Sequence, residues 1–178
     1  MNRTTAIKVL TEWDEAGRYV FIRHDFAKLF PNDTPKTLQM AINRLVKDRF
    51  LYRACRGVYV YALASSKDSH TIERIALALR RGKYNYISLE SALSEYGIIS
   101  QIPLDRLTVM TSGRKGTYST PWGTIEFTHT KRSISDILDS VNNIGRPLRM
   151  ATPIAAWRDL KRVGRNTHLV NQNYFNNE

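Results

Sequence analysis

Thr34-Pro35-Lys36-Thr37-Leu38-Gln39-Met40-Ala41-Ile42-Asn43-Arg44-Leu45-Val46-Lys47-Asp48 is the stretch that decides how the first third of this chain folds. Threonine followed by proline is a strong helix start. The hydroxyl accepts from a free backbone N–H, and proline at the first helical position gives up no hydrogen bond. The spacing predicts a helix from Pro35 to about Asp48. At the helical period, Leu38, Ala41, Ile42 and Leu45 fall on one face and Lys36, Met40, Asn43, Arg44 and Lys47 on the other, with Gln39 beside them.

Upstream, Thr4 to Trp13 reads as a helix with Ile7, Leu10 and Trp13 on one face and Thr4 or Thr5 as its N-cap, closed by Ala16-Gly17. Tyr19 to Ile22 reads as a brief strand, His24 to Phe30 as a second short helix, and Pro31-Asn32-Asp33 as a turn. Downstream, Phe50 to Cys55 and Val58 to Leu63 are two strand-like runs joined by Arg56-Gly57, a tight hairpin turn with arginine at its tip. Helix, strand, helix, turn, helix, hairpin is the order of a winged helix-turn-helix. Its expected core is Ile7, Leu10, Trp13, Phe26, Leu29, Leu38, Ile42 and Leu45.

A recognition helix needs a core-facing stripe to fix its angle and a wet face able to read the major groove. Asn43 can pair bidentately with adenine and Arg44 with guanine, while Lys36 and Lys47 suit base edges or phosphates. Any surface helix carries such residues. The adjoining hairpin turns the balance toward DNA, because Arg53 and Arg56 sit where a wing meets backbone or minor groove. The expected DNA-contacting set is therefore Lys36, Gln39, Met40, Asn43, Arg44, Lys47, Arg53 and Arg56.

Ala64-Ser65-Ser66-Lys67-Asp68-Ser69 is a polar spacer and marks the expected domain boundary, dividing the chain into 1–64 and 65–178. Beyond it the pattern is mixed. Helices are expected at Thr71 to Arg81, after Ser88 as N-cap, at Ile134 to Val141 and at Pro153 to Val163. Strands are expected at Tyr84 to Ile87, Leu104 to Thr111, Gly123 to Thr130 and Leu148 to Ala151, with Ser112 to Pro121 as a loop and a frayed end over Asn171 to Glu178. The whole reads as α+β: an N-terminal winged helix-turn-helix followed by a mixed α/β domain.

The net charge is +11, from 27 Lys and Arg against 16 Asp and Glu. It is spread over both parts, with 11 basic and 6 acidic residues before position 65 and 16 and 10 after it. No single basic tail accounts for it, and an excess of this size favours polyanionic partners. No apolar run is long enough to span a membrane, the start lacks the apolar core of a signal peptide, and Cys55 is the single cysteine. A cytoplasmic protein with no membrane partner is expected.

Two further basic features stand in the second part. Glycines flank Arg114 and Lys115, a composition that suits phosphate and equally a solvated hairpin loop; the Walker pattern is absent. Arg158, Lys161, Arg162 and Arg165 form a basic run on the last long helix, suited to a nucleic acid or an acidic partner and equally to a solvated face. Catalysis finds no support. His24, His70, His129 and His168 lack metal-site spacing, Asp136 and Asp139 stand in no motif, and Ser88 lacks a glycine elbow and is accounted for as an N-cap. No cofactor or metal is expected, and the chain reads as a non-enzyme.

Tyr86-Ile87-Ser88-Leu89-Glu90-Ser91-Ala92-Leu93-Ser94-Glu95-Tyr96-Gly97-Ile98 resembles a segment of the AbiEi-type antitoxins of type IV abortive-infection toxin–antitoxin systems. Gly57-Val58-Tyr59, and Met150-Ala151-Thr152-Pro153 leading into Ala156-Trp157-Arg158-Asp159-Leu160, are similar to two further motifs of that family, in the same order. The chain departs at Ile154, where the family often carries glutamate. The resemblance implies a bifunctional protein. Its winged helix would bind inverted repeats in double-stranded operator DNA and repress its own operon. Its second domain would counter a nucleotidyltransferase-like toxin, without need of a stable complex. Two other readings stay open: a plain winged-helix regulator with an oligomerisation or effector domain, and an RNA-binding module or nucleic-acid enzyme.

Overall fold

A computed structural model of the chain describes residues 1–100 and 105–176. It is mixed α and β, and it divides into two compact units, Met1–Leu79 and Arg80–Glu178. Among the described residues, no helix is long and apolar enough to cross a membrane.

The first unit runs α1 (Arg3–Glu15), β1 (Val20–Ile22), α2 (Arg23–Leu29), α3 (Pro35–Lys47), β2 (Leu51–Cys55), β3 (Val58–Tyr61) and α4 (Thr71–Leu79). Its sheet is antiparallel in the order β1-β3-β2. Helix α3 starts as its sequence dictates, with Thr34 Oγ1 accepting from the Thr37 N–H at 3.2 Å. Leu38, Ala41, Ile42 and Leu45 are all buried, and the buried rings of Phe21, Phe26 and Tyr59 pack against one another in the same unit. Burying each such side chain is worth roughly 1.5–3 kcal/mol.

Helix α1 departs from expectation in its start and its face. Asn2, not Thr4 or Thr5, is the N-cap, its side chain accepting from the Thr5 N–H at 2.8 Å. The buried stripe is Ala6, Leu10 and Asp14, so Trp13 lies outside the core at 37% exposure, with the Arg18 guanidinium over its ring at 5.1 Å. The reason is polar. Buried Asp14 accepts from the backbone and hydroxyl of both Ser65 and Ser66, and this rotates α1 away from the purely apolar choice.

The same bonds explain why the units divide at 79/80, later in the chain than the spacer at 64/65. The spacer is fastened to α1, and Tyr19 bonds through its hydroxyl to Asp68 at 3.1 Å and Thr71 at 3.0 Å. Helix α4 therefore packs on β1 and β3.

The second unit runs β4 (Asn85–Ile87), α5 (Leu89–Glu95), β5 (Arg106–Thr111), β6 (Gly116–Thr120), β7 (Gly123–His129), α6 (Ile134–Asp139), β8 (Val141–Asn142), β9 (Arg149–Ala151), α7 (Pro153–Val163) and α8 (Asn173–Asn176). Its sheet has the order β6-β7-β5-β4-β9-β8, parallel at β5/β7 and β4/β9 and antiparallel elsewhere. Helices α5 and α7 pack together, and Ala92 and Leu93 of the one and Ala156 and Leu160 of the other are buried. Strand β6 lies inside the stretch expected as a loop. It is an edge strand whose residues alternate between half-buried and exposed, so no apolar run betrays it. Helix α8 occupies part of the segment expected to fray, and Leu104 lies outside the described residues.

Ser88 stands at the N-cap position of α5 but makes no capping bond. It is fully buried, and its Oγ donates to Asp159 Oδ2 at 2.9 Å instead. The next residue, Leu89, takes a left-handed φ of +58°, which costs a non-glycine residue roughly 1–2 kcal/mol.

The Asp14 bonds give a test. Burial by itself raises the pKa of that carboxyl; the four donors from Ser66 and Ser65 outweigh it and hold the group below its ordinary range. A carboxyl depressed in the folded state stabilises fully above its unfolded pKa of about 4 and loses that contribution as pH falls through the folded value. Asp14→Asn should therefore cost about 2 kcal/mol in urea unfolding at neutral pH. Below about pH 4 the native protein should lose stability more steeply than the variant. Equal slopes would contradict this role.

Candidate nucleic-acid interface

Helix α3 divides as its sequence spacing requires. Lys36, Met40, Asn43 and Lys47 lie opposite the buried stripe and are exposed, Met40 at 57%. The flanks differ. Arg44 is exposed but lies toward α1, beside a shallow cleft lined by Asn2, Arg3, Thr4 and Asp48. Gln39 is half-buried, and its Nε2 donates to Asn43 Oδ1 at 3.0 Å. That bond fixes the amide plane of Asn43, whose Nδ2 donors stay available. Gln39 is thus a positioning residue for Asn43, and Asn43 with Lys36 and Lys47 forms the centre of the wet face.

The hairpin beside it is tight. Cys55 pairs with Val58 across Arg56-Gly57, and Gly57 takes φ +79°, the left-handed backbone such a turn demands. The register shifts between Arg53 and Cys55, with buried Ala54 as the extra residue, so Arg53 and Arg56 both reach solvent. The Arg23 N–H donates to Gly57 O at 3.0 Å, fastening the hairpin tip to the start of α2. Exposed Arg23 therefore stands beside Arg56 as a further cation of this surface. Only its place directly after a strand, at a helix start, could have signalled it.

Two acidic side chains of this unit are paired away from α3. Asp25 takes the Ile22 N–H at 2.8 Å and pairs with Arg18 at 2.8 Å, and Asp68 pairs with Arg74 at 2.9 Å. Lys36 and Lys47 on α3 and Arg53 and Arg56 on the hairpin are exposed, and Asp48 caps the C-terminal end of the helix.

In the second unit, Arg114 and Lys115 are exposed in the turn between β5 and β6. The four basic residues of the last helix do not form one face. Arg158 is half-buried and donates to Ser140 Oγ at 3.1 Å, Lys161 lies over the Trp157 ring at 5.2 Å, and Arg162 donates to His129 O at 3.2 Å. Arg165, just beyond the helix, grips Glu90 with two donors at 2.7 and 3.0 Å and also pairs with Glu126. The Glu90 hydrogen bonds hold its guanidinium firmly protonated. Burial tends to raise the Glu90 pKa, and the Arg165 and Asn166 donors pull it below the ordinary range.

Among the described residues, no three His, Cys, Asp or Glu side chains come together as a metal site. Ser88, Tyr86 and Arg132 converge on the buried carboxylate of Asp159, at 2.9, 3.2 and 3.4 Å. Burial, then the Asp159 charge, pushes the Tyr86 phenol well above its ordinary pKa. Ser88 donates its proton to this carboxylate.

No family model and no curated protein matches this chain. A solved structure, "Crystal structure of RV2827C protein from Mycobacterium tuberculosis", is similar to it with a TM-score of 0.57 at 14% sequence identity. The likeness covers 88% of this chain and 60% of that one, so this chain spans about three fifths of that protein's length. At that identity the likeness is one of fold.

The structural and the exposed cations at the end of α7 can be separated by stability. Arg165→Met leaves the buried Glu90 carboxylate without its cation, while Glu126 keeps Arg106, and should destabilise the protein by about 3 kcal/mol in chemical denaturation. Lys161→Ala, on an exposed side chain, should stay within about 0.5 kcal/mol of native. Equal effects would refute the structural role of Arg165.

Proposed function

We propose that the first unit is a winged helix-turn-helix that binds double-stranded DNA, with α3 as recognition helix and the β2–β3 hairpin as wing. The observation that carries this reading is the exposed face of Lys36, Asn43 and Lys47, set opposite a fully buried stripe and flanked by Arg53 and Arg56. A helix in the major groove needs donors for base edges at its centre and cations for phosphates around them. Asn43, held by Gln39, meets the first need; the lysines and the hairpin arginines meet the second.

The resemblance of 86–98, 57–59 and 150–160 to AbiEi-type antitoxins extends the proposal. The protein is a cytoplasmic autorepressor of a type IV toxin–antitoxin operon, binding inverted repeats in its operator. Its second unit counters a nucleotidyltransferase-like toxin. Two compact units in the chain are consistent with such a division of labour.

Binding should be specific and strongly salt-dependent, log K falling by about 0.9 per phosphate neutralised. A titration with no preference for upstream sequence over random duplex would sink the proposal. Asn43→Ala should relax sequence preference, at about 1–3 kcal/mol for its lost bidentate pair, and Arg44→Ala, on the flank toward α1, should change it less. Arg53→Ala and Arg56→Ala should weaken binding to all duplexes evenly, and wing variants that altered specificity instead would show the wrong element assigned.

The second role has its own test. The full chain carrying Lys36→Ala and Asn43→Ala should lose repression of its promoter and still rescue cells from a co-expressed cognate toxin. Loss of both together would overturn the division between the units.

A further inference from the structure

The second unit sorts its charge. Its buried carboxylates are each held by arginine: Glu90 by Arg165, Glu126 by Arg165 and Arg106, and Asp159 by Arg132. Where β4 begins and β5 and β7 end, the chain reads Arg80-Arg81-Gly82-Lys83-Tyr84, then Ser112-Gly113-Arg114-Lys115-Gly116-Thr117-Tyr118, then Thr128-His129-Thr130-Lys131-Arg132-Ser133. None of these three segments contains an acidic residue.

They are built into one surface. The Ser112 N–H donates to Tyr84 O and the Tyr84 N–H to Ser112 Oγ, both at 3.0 Å. Arg80 Nε donates to Arg114 O at 2.8 Å, while its guanidinium lies over the Phe127 ring at 4.3 Å. His129 Nδ1 meets Gly113 O at 2.7 Å, and a carbonyl only accepts, so the ring donates there. A Cβ at Gly113 would stand 3.1 Å from both Arg80 Cδ and Lys83 Cγ, so the 112–115 turn rests directly on the 80–83 turn. Lys83, Arg114, Lys115 and Lys131 remain exposed on this frame, with Arg162 from α7 joined to it through His129 O. Among them the Tyr84 ring is 41% exposed.

We infer that this end of the sheet binds single-stranded nucleic acid. Cations on several short, mutually bonded loops, with no carboxylate among them, suit a phosphate backbone that tracks across the loops. An exposed aromatic ring beside them gives a base a stacking platform. Lys83, Arg114, Lys115 and Lys131 are carried by turns and strand ends rather than by a helix or two-stranded ribbon, so the surface offers nothing to enter a duplex groove. The site lies on a different unit from the duplex-binding face proposed above and goes beyond that proposal.

The test is fluorescence anisotropy on the full chain at low salt, about 50 mM, with labelled oligo(U) and oligo(dT) of about 15 nucleotides. The native protein should bind one or both. Arg114→Ala/Lys115→Ala should weaken that binding about tenfold and flatten its salt dependence by about 0.7 per cation lost. Tyr84→Leu should weaken it about fivefold or more. If the double variant does not fold, as read from its thermal transition, the exposed single change Lys115→Glu decides, with the same direction expected. Lys36→Ala/Asn43→Ala in α3 should stay within about twofold of native. The inference is overturned if the native protein binds neither oligonucleotide, or if the α3 variant loses binding as the Arg114/Lys115 variant does. It is also overturned if random duplex binds the Arg114/Lys115-dependent site more tightly than either oligonucleotide.

Discussion

Helix α3 can offer solvent one fixed face only because its other face is locked. Leu38, Ala41, Ile42 and Leu45 are all within 3% of full burial, which leaves the helix no freedom to roll. Everything proposed for the first unit depends on that constraint. If the stripe were looser, Asn43 would point at no defined place. Two further ties refine the geometry: Gln39 sets the amide plane of Asn43, and the Arg23 N–H holds the hairpin tip at Gly57. Packing thus sets the helix, and hydrogen bonds set the side chains that a ligand would meet.

Both units place carboxylates by the same logic. Asp14, Asp25, Glu90, Glu126 and Asp159 are buried and bonded, to serine donors in the first case and to arginines in the others. A buried charge left without partners is expensive, so each fixes its neighbours strongly. The consequence for the surface is as important as that for stability. These acids lie inward, while α3 with its hairpin and one end of the larger sheet present exposed cations.

Much of this could be read from residue order. Thr34-Pro35, the four-residue apolar stripe and Arg56-Gly57 are local signals with local causes, and α3 and the hairpin follow from them. Long-range polar bonds could not be read. Nothing local marks Asp14 as buried: Ser65 and Ser66 reach it from the spacer, and Trp13 loses its expected core place. Ser88 had the sequence of a cap, but its hydroxyl is taken by Asp159, 71 positions away. Arg165 looked like one more cation of a basic run, and only the fold brings Glu90 and Glu126 to it. Strand β6 was hidden because an edge strand with polar residues on both faces has no hydrophobic period. In the candidate interface, the exposed centre of α3 was legible, while the sideways placement of Arg44 and the approach of Arg23 to the hairpin were not.

The central claim, that the wet face of α3 reads base edges, is tested most directly by selecting bound duplexes from a random library and sequencing them. Native protein and Asn43→Ala should be run in parallel. The account predicts that native protein enriches a defined motif, and that Asn43→Ala loses the preference at an A·T position within it while binding duplex still. Enrichment of no motif by the native protein, or of the same motif by both proteins, would contradict it.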